Sequence, residues 1–170
     1  MGPDDRITMH RNVINGAKKA GVRKLLYTSV IGNGREAGTL YAPTAAVNRQ
    51  AESDLQASGL DWVTGRNGLY LETDVEHIIN AAETGVFRNN GGHGRCTYIT
   101  RDEMAVAWAK LATDDAHNGK IFNLVGESKS QPELVAYVNA HLGLNVRPET
   151  ISDDKFAPRC RPSAANLWRP

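Results

Sequence analysis

Three stretches of the chain carry side chains suited to chemistry. They are Tyr27-Thr28-Ser29, the run Arg66-Asn67-Gly68-Leu69-Tyr70-Leu71-Glu72, and the segment Thr44–Ser58 between them. The first two sit at the ends of short apolar runs of strand type. In open α/β sheets, ligands bind outside the carboxyl ends of the strands. Thr28, Ser29 and Asn67 therefore stand where hydroxyl and amide groups can hydrogen-bond a ligand. Gly68 would let the backbone approach it closely, and Tyr70 offers a flat ring for stacking. Each has a local alternative. Strand-end hydroxyls also cap turns, Gly68 also suits an ordinary turn, and Tyr70 also suits half-buried packing.

Other reactive residue types form no site. His10, His77, His93, His117 and His141 share no helical face and no ligand spacing, so no metal is expected. Cys96 and Cys160 lack metal or disulfide spacing and read as free thiols in a reducing cytoplasm. Gly32-Asn33-Gly34 and Gly91-Gly92-His93-Gly94 do not have the spacing of a phosphate-binding turn between a buried strand and a helix; the second reads as a hairpin loop. The 170 residues are 41% hydrophobic and 23% charged, with a net charge of +1. That balance speaks against a nucleic-acid partner held by charge. No apolar run approaches the ~18 residues a membrane span needs, and no signal-peptide pattern is present.

The elements that position these residues alternate. Residues 8–20 read as a helix with Val13, Ile14 and Ala17 on its apolar side and Gly21 as its stop. Residues 23–28 read as a strand, 29–43 as a glycine-rich loop, and 44–58 as a helix with Val47, Ala51 and Leu55 on one face. Residues 61–65 form the next strand. Capping boxes are expected at Thr73–Glu76, Thr100–Glu103 and Ser130–Glu133, each opening a helix. Between the first two, residues 86–87 and 97–99 flank a hairpin-like excursion. Residues 120–125 read as a strand, 145–150 as an extended piece, and Ser152 as the cap of one more helix. Trp62, Trp108 and Leu111 are expected in the core, with Met104 and Trp108 forming a packing stripe. Strands separated by helices imply an α/β fold with a parallel sheet. The expected organisation is one domain over residues 1–156 and an irregular, proline-bearing tail over 157–170.

The order of the three stretches, continued by Tyr98-Ile99-Thr100-Arg101-Asp102 and Gly119-Lys120-Ile121-Phe122-Asn123-Leu124, resembles the atypical short-chain dehydrogenase/reductases of the NmrA-like group. The nearest likeness is to bacterial type 2 NAD(P)H:quinone oxidoreductases, over about residues 8–156. The resemblance implies a partial Rossmann-like fold, with the glycine-rich first turn and the first strands absent from this sequence. It implies that Thr28 and Ser29 line the nicotinamide ribose region, that Asn67 and Gly68 bring the next loop toward the nicotinamide, and that Tyr70 closes over a quinone-like ring. The Tyr-x-x-x-Lys pair of conventional members is missing: its positions fall on Thr44 and Asn48. Asn48 still offers an amide to a ribose hydroxyl.

Three readings of function follow. The first is an NAD(P)H-dependent oxidoreductase, with NADP or NAD as cofactor and a quinone or similar small electron acceptor as substrate. The second is a non-catalytic module of the NmrA type that senses NAD(P). The third is a shortened product with little activity, in which a sheet cut on one side exposes an unpaired edge. Such an edge favours a homo-oligomer or a complementing chain.

Overall fold

The computed structural model describes residues 2–32, 34, 36–39 and 41–156. In chain order the elements are α1 (Pro3–Lys19), β1 (Lys24–Val30), α2 (Ala42–Gln56), β2 (Asp61–Asn67), β3 (Leu69–Tyr70), α3 (Leu71–Ala81), β4 (Val86–Asn89) and β5 (Arg95–Ile99). They continue with α4 (Arg101–Thr113), β6 (Lys120–Leu124), β7 (Ser128–Ser130), α5 (Gln131–Leu142), β8 (Arg147–Thr150) and α6 (Asp153–Phe156). These form two compact units. The first comprises the residues up to Leu69 together with Ile99–Gly126; the second comprises Tyr70–Tyr98 and the described residues from Glu127 onward. The tail expected over 157–170 lies outside the described residues. Among the described residues, no helix is long and apolar enough to cross a membrane.

The first unit holds the parallel sheet, in the order β1-β2-β6. β1 pairs with β2 from Lys24↔Asp61 to Val30↔Asn67, and β2 pairs with β6 from Val63↔Lys120 to Asn67↔Leu124. This is the α/β arrangement the alternation implies. β1 runs two residues past its expected end, which places Ser29 inside the strand. α1 begins at Pro3 rather than residue 8. Proline suits the first helical position because the N–H it lacks would have no partner there. Asp4 and Asp5 in the first turn and Lys18 and Lys19 in the last complement the helix dipole. Of its expected apolar side only Ile14 is buried; Val13 is 62% exposed.

α2 packs Val47, Ala51 and Leu55 into the core as their spacing requires. On the sheet, Gly65 of β2 has a steric purpose. A Cβ there would lie 2.6 Å from Trp108 Cζ2 and 2.8 Å from Leu124 Cδ1. The Trp108 indole of α4 thus lies against the bare backbone of β2, with Met104 and Leu111 buried on the same helix. The capping box at Thr100 forms as expected: Glu103 N–H donates to Thr100 Oγ1, and Glu103 Oε2 accepts from Thr100 N–H at 3.0 Å.

The second unit closes around Ile78, Phe87, Tyr98, Leu134, Val135, Val138 and Val146. Its box at Ser130 and Glu133 opens α5, which ends on Gly143 at φ +65°. Two expectations are corrected here. Thr73 does not cap α3, because that helix already starts at Leu71 and Thr73 lies within its first turn. Nor do residues 86–87 and 97–99 pair as a hairpin. β4 pairs in parallel with β8, and β5 pairs antiparallel with β7. Both partners are supplied from far along the chain, a pairing that no local turn signal announces. α6 follows Ser152, whose carbonyl accepts from the N–H groups of Lys155 and Phe156 at 3.0 Å.

Candidate active site

The carboxyl ends of β1 and β2 carry the side chains that chemistry requires, but not in one set. Side chains alternate across a strand, so Thr28 and Ser29 point to opposite faces. The register puts Thr28 and Asn67 on one face, and Ser29 with Arg66 on the other, against α2. Thr28 is exposed, whereas Ser29 is only 1% exposed.

On the α2 face lies a closed polar cluster centred on Glu52, a carboxylate 3% exposed. Ser29 Oγ donates to Glu52 Oε1 at 2.5 Å. Arg66 donates through Nε to Oε1 at 3.0 Å and through Nη2 to Oε2 at 2.6 Å. Arg49, one helical turn before Glu52, pairs with the same carboxylate. It also donates to Ser29 Oγ at 3.1 Å and to the Val30 carbonyl at 2.7 Å. Burial alone would push the Glu52 carboxyl up. The hydrogen bonds from Arg66 and Ser29, with the charge of Arg49, outweigh it and hold the carboxyl below its usual range. Two guanidiniums against one carboxylate leave the cluster with one net positive charge. The only proton on Ser29 Oγ is committed to Glu52, so Ser29 serves as an acceptor here and not as a proton donor to a ligand.

Asn48 is also bonded within the fold. At 4% exposure, its Oδ1 accepts from Tyr27 OH at 2.8 Å, and its Nδ2 donates to the Thr44 carbonyl at 2.8 Å. Burial pushes the Tyr27 phenol up to about 12, which keeps it a donor at neutral pH. Asn67 and Gly68 are buried, and the Gly68 N–H donates to the Leu124 carbonyl at 2.8 Å. Tyr70 belongs to the second unit, at the start of α3, and is 36% exposed. The structure therefore groups Ser29 with Asn48 on the α2 face and Thr28 with Asn67 on the other. Glu52, Arg49 and Arg66 had not been singled out by sequence reasoning. The available signal was a charged pair at i, i+3 on the face of α2 that also carries buried Ala51 and Leu55.

The second unit has its own buried polar group. Tyr98 OH donates to Asp74 Oδ2 at 2.7 Å, and Gln131 Nε2 donates to Asp74 Oδ2 at 3.1 Å and to Tyr98 OH at 2.9 Å. Burial, reinforced by the Asp74 carboxylate, raises the Tyr98 phenol far above its usual range. The Gly91–Gly94 segment forms a tight turn in which Gly94 N–H donates to the Gly91 carbonyl at 2.7 Å. Its amide is spent on the turn itself, which does not make a phosphate cradle. Among the described residues, no group of histidine, cysteine and carboxylate side chains could hold a metal ion.

A parallel sheet whose strands are joined through helices is the arrangement of the open α/β folds that bind ligands beyond the carboxyl ends of their strands. The family described as NAD(P)H-binding matches residues 1–115, and this chain belongs to it. It is 34% identical over 153 residues to quinone oxidoreductase 2 of Escherichia coli (strain K12), covering 89% of this chain and 52% of that protein. It is 30% identical over 152 residues to an NmrA-like family domain-containing oxidoreductase of Aspergillus flavus, covering 86% of this chain and 48% of the relative. The crystal structure of the E. coli NADPH-dependent quinone oxidoreductase complexed with NADPH superposes with a TM-score of 0.78 at 32% identity, covering 88% of this chain and 52% of that one. The chain thus spans about half the length of the relatives it matches.

Proposed function

We propose that this chain carries the nicotinamide and acceptor side of an NAD(P)H-dependent oxidoreductase of the quinone-reducing type, acting in the cytoplasm. One observation carries the reading: the strand-end cluster orders this region while holding its own protons. Ser29 donates to Glu52, Tyr27 donates to Asn48, and Thr44 and Asn48 stand where a Tyr-x-x-x-Lys pair would supply a proton. Hydride transfer to a quinone leans less on a dedicated proton donor than carbonyl reduction does. Relatives named as quinone oxidoreductases support the substrate class.

In this reading the Thr28 hydroxyl contacts the nicotinamide riboside and the Gly68 backbone allows close approach. Asn67 shares the face of Thr28. Ser29 and Asn48 are positioning residues: their hydrogen bonds fix β1 against α2 and so fix the height of Thr28. The donor set suits the nicotinamide end of the cofactor, while the described residues contain no phosphate cradle. Bound cofactor would supply the hydride; the protein supplies orientation and a net positive field.

The test is NADPH oxidation by the full chain with a benzoquinone as acceptor, compared between wild type and Thr28→Val. Turnover that falls in Thr28→Val chiefly through a raised KM for NADPH supports the reading. Cofactor binding with no turnover on any quinone would instead support a sensor of NAD(P). That alternative draws on the same held protons of Ser29 and Tyr27.

A further inference from the structure

Arg49 keeps a donor in reserve at the carboxyl end of β1. Its Nη1 serves Ser29 Oγ and Glu52, and its Nη2 donates to the Val30 carbonyl at 2.7 Å. Each Nη nitrogen carries two hydrogens. The second one on Nη2 has no partner among the described residues. Beside it lies the bare backbone of Gly32: the point that a Cβ on Gly32 would take is 3.2 Å from Arg49 Nη2. An oxygen placed there is within hydrogen-bond distance of the guanidinium.

An oxygen of the chain itself already presses on that point. Glu36 Oε1 sits so close to it that a Cβ on Gly32 would collide with the carboxylate. The same Oε1 accepts from the Gly34 N–H at 3.1 Å. Glu36 is half-buried, although Ala37, Gly38 and Thr39 beyond it are exposed. Its carboxylate thus turns inward from an open turn. Thr39 fixes that turn, its hydroxyl and its N–H donating to the Glu36 carbonyl at 2.6 and 3.0 Å. Gly34 and Gly38 flank Glu36, both at φ +80°. Glycine takes either sign of φ at little cost, so the turn has a hinge residue on each side.

Tyr41 stands close by. Its hydroxyl donates to the Ile31 carbonyl at 3.3 Å, and it is 39% exposed. Burial raises its phenol, with Arg49 pulling it down and Glu36 pushing it up, so both charges reach the ring. A backbone N–H, a guanidinium hydrogen and a residue without a Cβ together make an oxyanion site. Such donors favour an ionised oxygen over a neutral one. The present occupant is a carboxylate, and that defines the class of ligand. The exposed ring beside it suits an aromatic body.

We propose that Gly32, Gly34 and Arg49 form a carboxylate-binding subsite that the chain's own Glu36 fills, and that an aromatic carboxylate binds there by displacing Glu36. Glu36 is then a built-in competitor, and the turn between Gly34 and Gly38 is the part that moves. The proposal goes beyond the NAD(P)H reading and does not rest on it, since neither nucleotide nor turnover is involved.

The test is a titration of the ¹⁵N-labelled full chain with sodium benzoate at constant ionic strength, without nucleotide, following the Gly34 amide. Benzamide, of the same shape without the charge, is the control. A subsite open roughly a fifth of the time or less binds about five-fold more weakly than one that is always open. Glu36→Ala is therefore expected to bind benzoate about five-fold or more tighter than wild type, with the Gly34 amide shifting and benzamide leaving it in place. Glu36→Gln, which keeps the size and removes the charge, should move in the same direction. Adding Gly32→Ala to Glu36→Ala puts a methyl at the oxygen position and is expected to abolish binding. Gly32 is not among the glycines of positive φ, so alanine suits its backbone, and the remaining amide signals verify the fold of each variant. A folded Glu36→Ala chain that binds benzoate no better than wild type overturns the proposal. So does benzamide binding as well as benzoate, or benzoate binding that survives Gly32→Ala.

Discussion

Replacing Glu52 with glutamine removes one charge from a closed cluster and changes little in volume. The carboxylate is 3% exposed and accepts from Ser29, Arg49 and, twice, from Arg66. A glutamine has one acceptor oxygen, so in either orientation its NH2 group faces a guanidinium N–H, that of Arg66 Nη2 at one position or those of Arg66 Nε and Arg49 at the other, donor against donor. Breaking a buried pair by removing one partner costs about 3–5 kcal/mol. The arginine side chains are 33% and 27% exposed and can recruit water, so the lower end, about 3 kcal/mol, applies. For a chain of this size that is a fall in Tm of roughly 6–12 °C. The sign with pH follows from the lowered carboxyl. A depressed folded-state value contributes stability above the unfolded value of about 4.3, and that stability is lost as pH falls through the folded value. The gap between wild type and Glu52→Gln should thus be full at pH 7 and shrink in acid. Trp62 and Trp108 both lie in the first unit, so urea unfolding followed by tryptophan fluorescence reports on it. A Glu52→Gln chain within about 0.5 kcal/mol of wild type at pH 7 would refute the reasoning, placing the cluster among surface ion pairs.

Further outcomes follow from the packing and the caps. Gly65→Ala puts a methyl into the Trp108 indole and should cost about 1–3 kcal/mol with a shifted fluorescence spectrum; an unchanged spectrum and stability would contradict the contact. Thr100→Ala should cost about 1 kcal/mol in chemical unfolding because it removes a working cap. Thr73→Ala should stay within about 0.5 kcal/mol, since Thr73 is exposed within α3. Tyr27→Phe strips the buried Asn48 Oδ1 of its donor and should cost about 1–2 kcal/mol by the same assay.

The elements of the first unit were largely legible because local signals agree there. Apolar runs bounded by glycine marked β1 and β2, and the i, i+4 spacing of Val47, Ala51 and Leu55 marked the buried face of α2. What was not legible depends on partners distant in sequence. T-x-x-E reads the same whether Thr73 precedes a helix or lies inside one; Glu72 and Asp74 in the first turn of α3 were the better signal. β4 and β5 lie next to each other in the chain, yet they pair with β8 and β7. The candidate site divides in the same way. Thr28, Ser29, Asn67 and Gly68 could be placed at strand ends from sequence. That the Ser29 proton is held by Glu52 could be seen only once the register set Arg66 beside Ser29 and α2 laid Glu52 across both.

The central claim, that this chain contributes a nicotinamide site, is tested most directly by calorimetric titration of the folded chain with NADPH and with NADH. The account predicts saturable binding to at least one of them tighter than ~100 μM, about −5.5 kcal/mol, and weaker binding to Thr28→Val. No heat of binding from either dinucleotide to a folded sample would contradict it.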